Sequence, residues 1–149
     1  IAHVAGMAMC VHDSPIPNNS GYIYDARAAA VAFRGVESAI CLLGHTHVPM
    51  AFGTDSLVAE EPVNPRNVMV EQLTEGSVIR MDPGSRYILN PGAVGQPRDS
   101  DPRASFAILD LGQGTFTLHR EPYDIAAAQE ATFKAGLPAI LAERLALGA

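Results

Sequence analysis

Tryptophan is missing from this 149-residue chain, and cysteine and basic residues are scarce. The two cysteines, Cys10 and Cys41, each lie inside an apolar run and form no C-x-x-C pair. This excludes a disulfide scaffold and a cysteine-based zinc or redox motif, and fits buried free thiols in a reducing cytoplasm. Ten Lys and Arg stand against sixteen Asp and Glu, for a formal net charge of −6. No basic patch for nucleic acid is expected from so few scattered cations. No apolar run approaches the roughly 18–20 residues of a membrane span, and the front of the chain shows no signal-peptide pattern. The expected setting is cytoplasmic, without membrane. What is present is 48% apolar and 17% charged, the composition of one globular domain with a real core, residues 1–149. The chain opens on Ile1 rather than Met, which reads as a processing or truncation product.

Pattern along the chain predicts a short buried strand over Gly6–Val11, then a turn-rich loop, Asp13 to Gly21, dense in Pro and Asn. Asp25 caps an alanine-rich helix to Phe33, and Ala39–Leu43 is a second buried strand, parallel to the first. Beyond His47, short strands over Pro49–Gly53, Val68–Leu73, Ser77–Met81 and Arg86–Asn90 are broken by Gly and Pro. Ala104–Leu111 and Thr115–Arg120 read as an antiparallel hairpin. Asp124 caps a helix to about Ala135, and a last helix runs from Pro138, at its first position, to Leu147, with Ile140, Leu141, Leu145 and Leu147 mostly on one face.

The most informative stretch is Gly44-His45-Thr46-His47-Val48-Pro49, which follows an apolar strand. On an extended backbone, residues i and i+2 point to one side, about 6–7 Å apart. That separation suits two imidazoles gripping a metal pair whose ions lie roughly 3.5–4 Å apart. Gly44 is expected to turn the chain out of the strand, at the mouth where α/β folds place ligands. His12 also follows directly on a strand, so two parallel neighbours would deliver His12, His45 and His47 to one sheet edge as metal ligands. His3 and His119 lack that context and read as structural or solvent-facing. Hard divalent ions also need carboxylates, and Asp13, Asp25, Asp99 and Asp101 lack strand-end placement, so the residues look like half a metal site. In Asn90–Arg98, Gly92 and Gly95 would let backbone N–H groups approach an anion, with Arg98 reaching a substrate phosphate. The competing reading pairs Arg98 with Asp99 or Asp101.

With these motifs the sequence resembles the calcineurin-like metallophosphoesterases, in particular their small bacterial and archaeal phosphodiesterase-like branch. The matching residues are Val11-His12, Gly44-His45-Thr46-His47-Val48-Pro49 and Asn90-Pro91-Gly92-Ala93-Val94-Gly95-Gln96-Pro97-Arg98, extending into Asp101-Pro102-Arg103-Ala104-Ser105-Phe106-Ala107-Ile108-Leu109-Asp110, so that the resemblance covers nearly the whole chain from about Gly6. The resemblance implies a β-sandwich flanked by helices (αββα), this chain covering the C-terminal part with a mostly antiparallel sheet and two C-terminal helices. It implies two divalent metal ions, Mn2+ first, with Fe, Zn, Ni or Mg as alternatives. His12 and His45 would bind one ion and His47 the other, activating a bridging hydroxide. The family's D-x-H, G-D-x-x-D and G-N-H-D/E motifs are absent, so the chain looks like a domain lacking its N-terminal half, and no catalytic residue is assigned. Asp13 stands where relatives usually carry a small residue.

The expected function is a metal-dependent phosphoesterase acting on a phosphomonoester or phosphodiester, either a small molecule or a phosphoprotein, and near-inactive as this chain. The alternative is a non-catalytic half-domain acting as a binding or scaffold module, with an apolar face that drives homo-oligomer formation. An amidohydrolase-type H-x-H site would need a barrel of about 250 residues.

Overall fold

Side chains alternate along the central strands and are sorted by that alternation into two separate cores. The computed structural model describes residues 2–4, 6–17, 21–56 and 62–149. In chain order the strands are β1 (Ala2–Val4), β2 (Ala8–Cys10), β3 (Ile40–Leu42), β4 (Pro49–Thr54), β5 (Met69–Gln72), β6 (Val78–Arg80), β7 (Arg86–Pro91), β8 (Ala104–Asp110) and β9 (Thr115–Glu121). Six form one sheet in the order β1-β2-β3-β7-β4-β5, and three form a second, β6-β9-β8. The β2-β3-β7 pairs are parallel, whereas β4 with β5 and β7, and every pair of the small sheet, are antiparallel.

One face of the large sheet, with Ala8, Ile40, Ala51, Tyr87 and Leu89, packs on Ile79, Phe116 and Leu118 of the small sheet. The other face, with Met9, Cys41, Met50, Phe52 and Ile88, packs on α1 (Ala26–Ala32) and on Phe33 and Val36 beyond it. Asp25 caps α1 by accepting from the Ala28 N–H at 2.8 Å. Arg86, at the start of β7, binds the far end of the helix. Its guanidinium donates to the carbonyls of Phe33 (2.8 Å), Val36 (3.1 Å) and Ser56 (2.6 Å), satisfying acceptors that a helix end leaves open.

Several expectations need adjusting. Gly6 is not in a strand: with Met7 it makes the turn of a β1–β2 hairpin, the Met7 N–H bonding the Val4 carbonyl at 3.1 Å. Asn18, Asn19 and Ser20 of the expected first loop lie outside the described residues. The second-last helix forms as α2 (Ile125–Lys134), capped by Asp124. The last helix is shorter than its pattern predicts. α3 spans Ala139–Glu143 and continues as a 3-10 turn over Arg144–Ala146. Pro138 has φ −53° and ψ 136°, so it precedes the helix instead of opening it. Ile140 and Leu147 are exposed, and Ala142 and Leu145 make the buried contacts. No helix among the described residues is long and apolar enough to cross a membrane.

Candidate metal centre

Parallel pairing brings the histidine-bearing strand ends together. Cys10 faces Leu42 across β2 and β3. The ladder then runs on past both strands, with the Val11 N–H on the Leu42 carbonyl and the Gly44 N–H on the His12 carbonyl, each at 3.0 Å. The rings of His12 and His45 meet edge to face, centroids 5.3 Å apart. The backbone there is not the extended one that the i, i+2 spacing predicts. His45 and His47 have φ of 64° and 61°, and Gly44 is not among the positive-φ glycines. The Thr46 N–H donates to the Gly44 carbonyl at 2.7 Å, closing a three-residue turn around His45. The histidines themselves carry the sharp turn expected of Gly44. Left-handed non-glycine residues are uncommon and persist where their surroundings hold them.

Asn90 braces the residues that flank His45. This residue, 1% exposed, sits at the end of β7 with its amide nitrogen 2.8 Å from both the Gly44 carbonyl and Thr46 Oγ1. Its oxygen accepts from the Gly92 N–H at 2.9 Å. One carboxamide thus ties the first motif to the second. Gly92 has φ +81°, and an added Cβ there would lie 2.8 Å from Ser105 Oγ. Its N–H is used by Asn90, so Gly92 provides close packing and not the anion contact its sequence position suggests.

His47 is fixed from the same loop. Its Nδ1 lies 2.8 Å from the Gln96 carbonyl, and with Nδ1–H donating there, Nε2 keeps its lone pair. This is the arrangement in which imidazole ligates metals. Burial lowers the His47 pKa, and the nearby Arg98, His12 and His45 lower it further against the opposing Gln96 bond. Arg98 donates its backbone N–H to the His47 carbonyl (3.2 Å) and its guanidinium to Gln96 Oε1 (2.7 Å). Its Nε is buried without a partner among the described residues. The competing pairing of Arg98 with Asp99 or Asp101 does not form. Arg120 takes Asp99, both side chains buried, and Arg103 takes Asp101.

The other acidic candidates are similarly engaged. Asp13 accepts from the Ser14 N–H at 2.7 Å, and Asp25 caps α1. No group of three or more His, Cys, Asp and Glu is gathered to hold a metal ion among the described residues. Among the described residues His12 and His45 are brought together with imidazole chemistry suited to a metal, but no complete ligand set is gathered and no carboxylate joins them. His119 stacks on Phe106 at 5.4 Å on the small sheet, away from the site, and the His3 side chain lies outside the described residues. Asn90 and Tyr22 are the residues that sequence reasoning missed. Asn90 was visible within Asn90-Pro91-Gly92, but its contact with Gly44 is 46 positions distant. Tyr22 stacks on His45 at 4.5 Å, from a loop with no motif of its own.

Two sheets face to face, a helix outside, and the paired His12 and His45 at neighbouring strand ends make this an α/β sandwich with histidines at its sheet edge. The solved metallophosphoesterase from Sphaerobacter thermophilus is similar over 99% of this chain, with 42% identity and a TM-score of 0.83. An uncharacterized protein of Methanocaldococcus jannaschii is 35% identical over 109 residues, 73% of this chain. A hypothetical protein of Pyrococcus horikoshii shares the fold over 95% of the chain (TM-score 0.63) at 16% identity. No family model matches. The likeness to the Sphaerobacter protein over nearly the whole of this chain supports the calcineurin-like metallophosphoesterase family. The chain spans 39% of the Methanocaldococcus protein and 57% and 46% of the two solved chains.

Proposed function

We propose that this chain carries the imidazole share of a divalent-metal phosphoesterase site that hydrolyses a phosphomonoester or phosphodiester. The observation that supports it is the close approach of the His12 and His45 rings at neighbouring strand ends, with His47 two residues on and the partly unpartnered Arg98 guanidinium bonded to the same Gln96 that holds His47. His12 and His45 would hold one ion and His47 the other, with Mn2+ the first choice. The ions would supply an activated water and offset phosphoryl charge. The chain's own residues do the positioning. Gln96 keeps His47 Nε2 free, Asn90 sets the loop, and Arg98 binds the substrate phosphate with a fixed fork. With no carboxylate joined to these histidines among the described residues, the chain by itself should turn over poorly. Hydrolysis of p-nitrophenyl phosphate and its bis-ester with Mn2+, by the protein at its native length, tests the reading. His45→Ala should abolish metal-dependent turnover, and retained turnover refutes the assignment.

A second reading, a binding or scaffold half-domain, is favoured by one feature. The outer face of the small sheet exposes Val78, Phe106 and Ile108, with Val78 and Ile108 both flanking Thr117. Such a patch seeks a partner, and a dimer or larger homo-oligomer by light scattering, with no metal response, would support that reading.

A further inference from the structure

Beside the histidines stands an aromatic ladder that the phosphoesterase reading does not use. In the segment ahead of α1, Ile23 is buried in the core against the helix. Alternation then turns Tyr22 and Tyr24 outward together. Tyr22 lies nearly parallel to His45 (4.5 Å, 19°) and to Tyr24 (5.5 Å, 20°). Neither tyrosine is a core residue, Tyr22 being 51% and Tyr24 47% exposed. Two ordered, half-exposed rings in register with a candidate metal ligand form a surface on which a flat ring can stack.

We infer that Tyr22 and Tyr24 are a stacking platform for phosphoesters carrying a flat aromatic group, a nucleobase or an aryl ring. The inference rests on the phosphoesterase reading for the phosphate end and adds the group attached to it. His45 stands two residues from His47 and carries Tyr22 stacked on its ring, so the tyrosines flank the histidines at which a phosphate would be held. Base–aromatic stacking tolerates any base and strengthens binding by about tenfold or more per ring.

Isothermal titration of the Mn2+-treated full chain with AMP, phenyl phosphate and ribose 5-phosphate tests this without relying on turnover. The expected result is that AMP or phenyl phosphate binds about tenfold tighter than ribose 5-phosphate. AMP ahead of phenyl phosphate identifies a nucleotide, and the reverse an aryl ester. The double variant Tyr22→Leu, Tyr24→Leu should bring the ratio to about one, whereas Tyr24→Phe, which keeps the ring, should preserve it. Equal affinity of all three ligands overturns the platform and leaves the phosphate site standing. No binding by any of them overturns both. A ratio unchanged in the double variant places the aromatic contact elsewhere and overturns the platform.

Discussion

Asn90→Ala is the sharpest perturbation of the loop that carries the histidines. The native carboxamide makes three hydrogen bonds, to the Gly44 carbonyl, Thr46 Oγ1 and the Gly92 N–H. A neutral buried bond contributes about 1 kcal/mol net, and an abandoned buried group costs about 1–3 kcal/mol. Gly44 keeps a partner in the Thr46 N–H, and Thr46 Oγ1 still meets Val48. Gly92 is the group that loses the acceptor shown for it. The substitution should therefore cost about 2–3 kcal/mol. In urea denaturation followed by far-UV circular dichroism, that moves the midpoint down by about 1–2 M. Asn90→Asp adds a sign. An aspartate facing the Gly44 carbonyl has its folded pKa raised, because only the protonated acid can donate. Its stability is retained below the ordinary carboxylate range and is lost as pH rises through the raised value. Asn90→Asp should therefore lie closer to wild type at pH 5 than at pH 8. An Asn90→Ala cost below about 0.5 kcal/mol, or an Asn90→Asp deficit independent of pH, would refute the clamp.

Arg86→Met should lower stability by about 3–4 kcal/mol, since it removes charge-assisted donors from three carbonyls; a melting temperature unchanged from wild type would contradict this. Cys41 is fully buried and its thiol is pushed up to about 12, first by burial and then by Cys10. In native protein at pH 8 it should therefore resist a thiol-specific disulfide reagent, reacting only after urea is added. Asp101 is held below the usual carboxylate range, chiefly by its bonds to Arg103. Its contribution is present above pH 4 or so and is lost as pH falls through the depressed value. Asp101→Asn should flatten the acid limb of the stability profile, and an unaltered limb would exclude that role.

Most of the sheet was legible because its strands are buried on both faces or alternate clearly. Parallel pairing of the first two buried strands, the antiparallel second half and the two helix caps all follow from local pattern. β1 was not legible: three residues carry no period, and Gly6 marks the turn and not a strand start. The last helix misled because Ile140 and Leu147 fit an apolar stripe, yet of that stripe packing buries Leu145, together with Ala142 outside it. At the site, G-H-T-H named the ligand candidates but not their backbone. Asn90 braces Gly44 and Thr46 on either side of left-handed His45, and no short-range signal encodes a bond across 46 positions. The acid pairs were equally hidden, since Arg120 reaches Asp99, in the loop after β7, from β9.

The central claim is that His12, His45 and His47 form one metal-binding set. Titration of the chain with Co2+, followed by paramagnetically shifted imidazole resonances, tests it most directly. The account predicts shifted signals from these three rings and at least tenfold weaker binding in each of His12→Ala, His45→Ala and His47→Ala. Binding unchanged in all three variants, or shifts confined to His119, would contradict it.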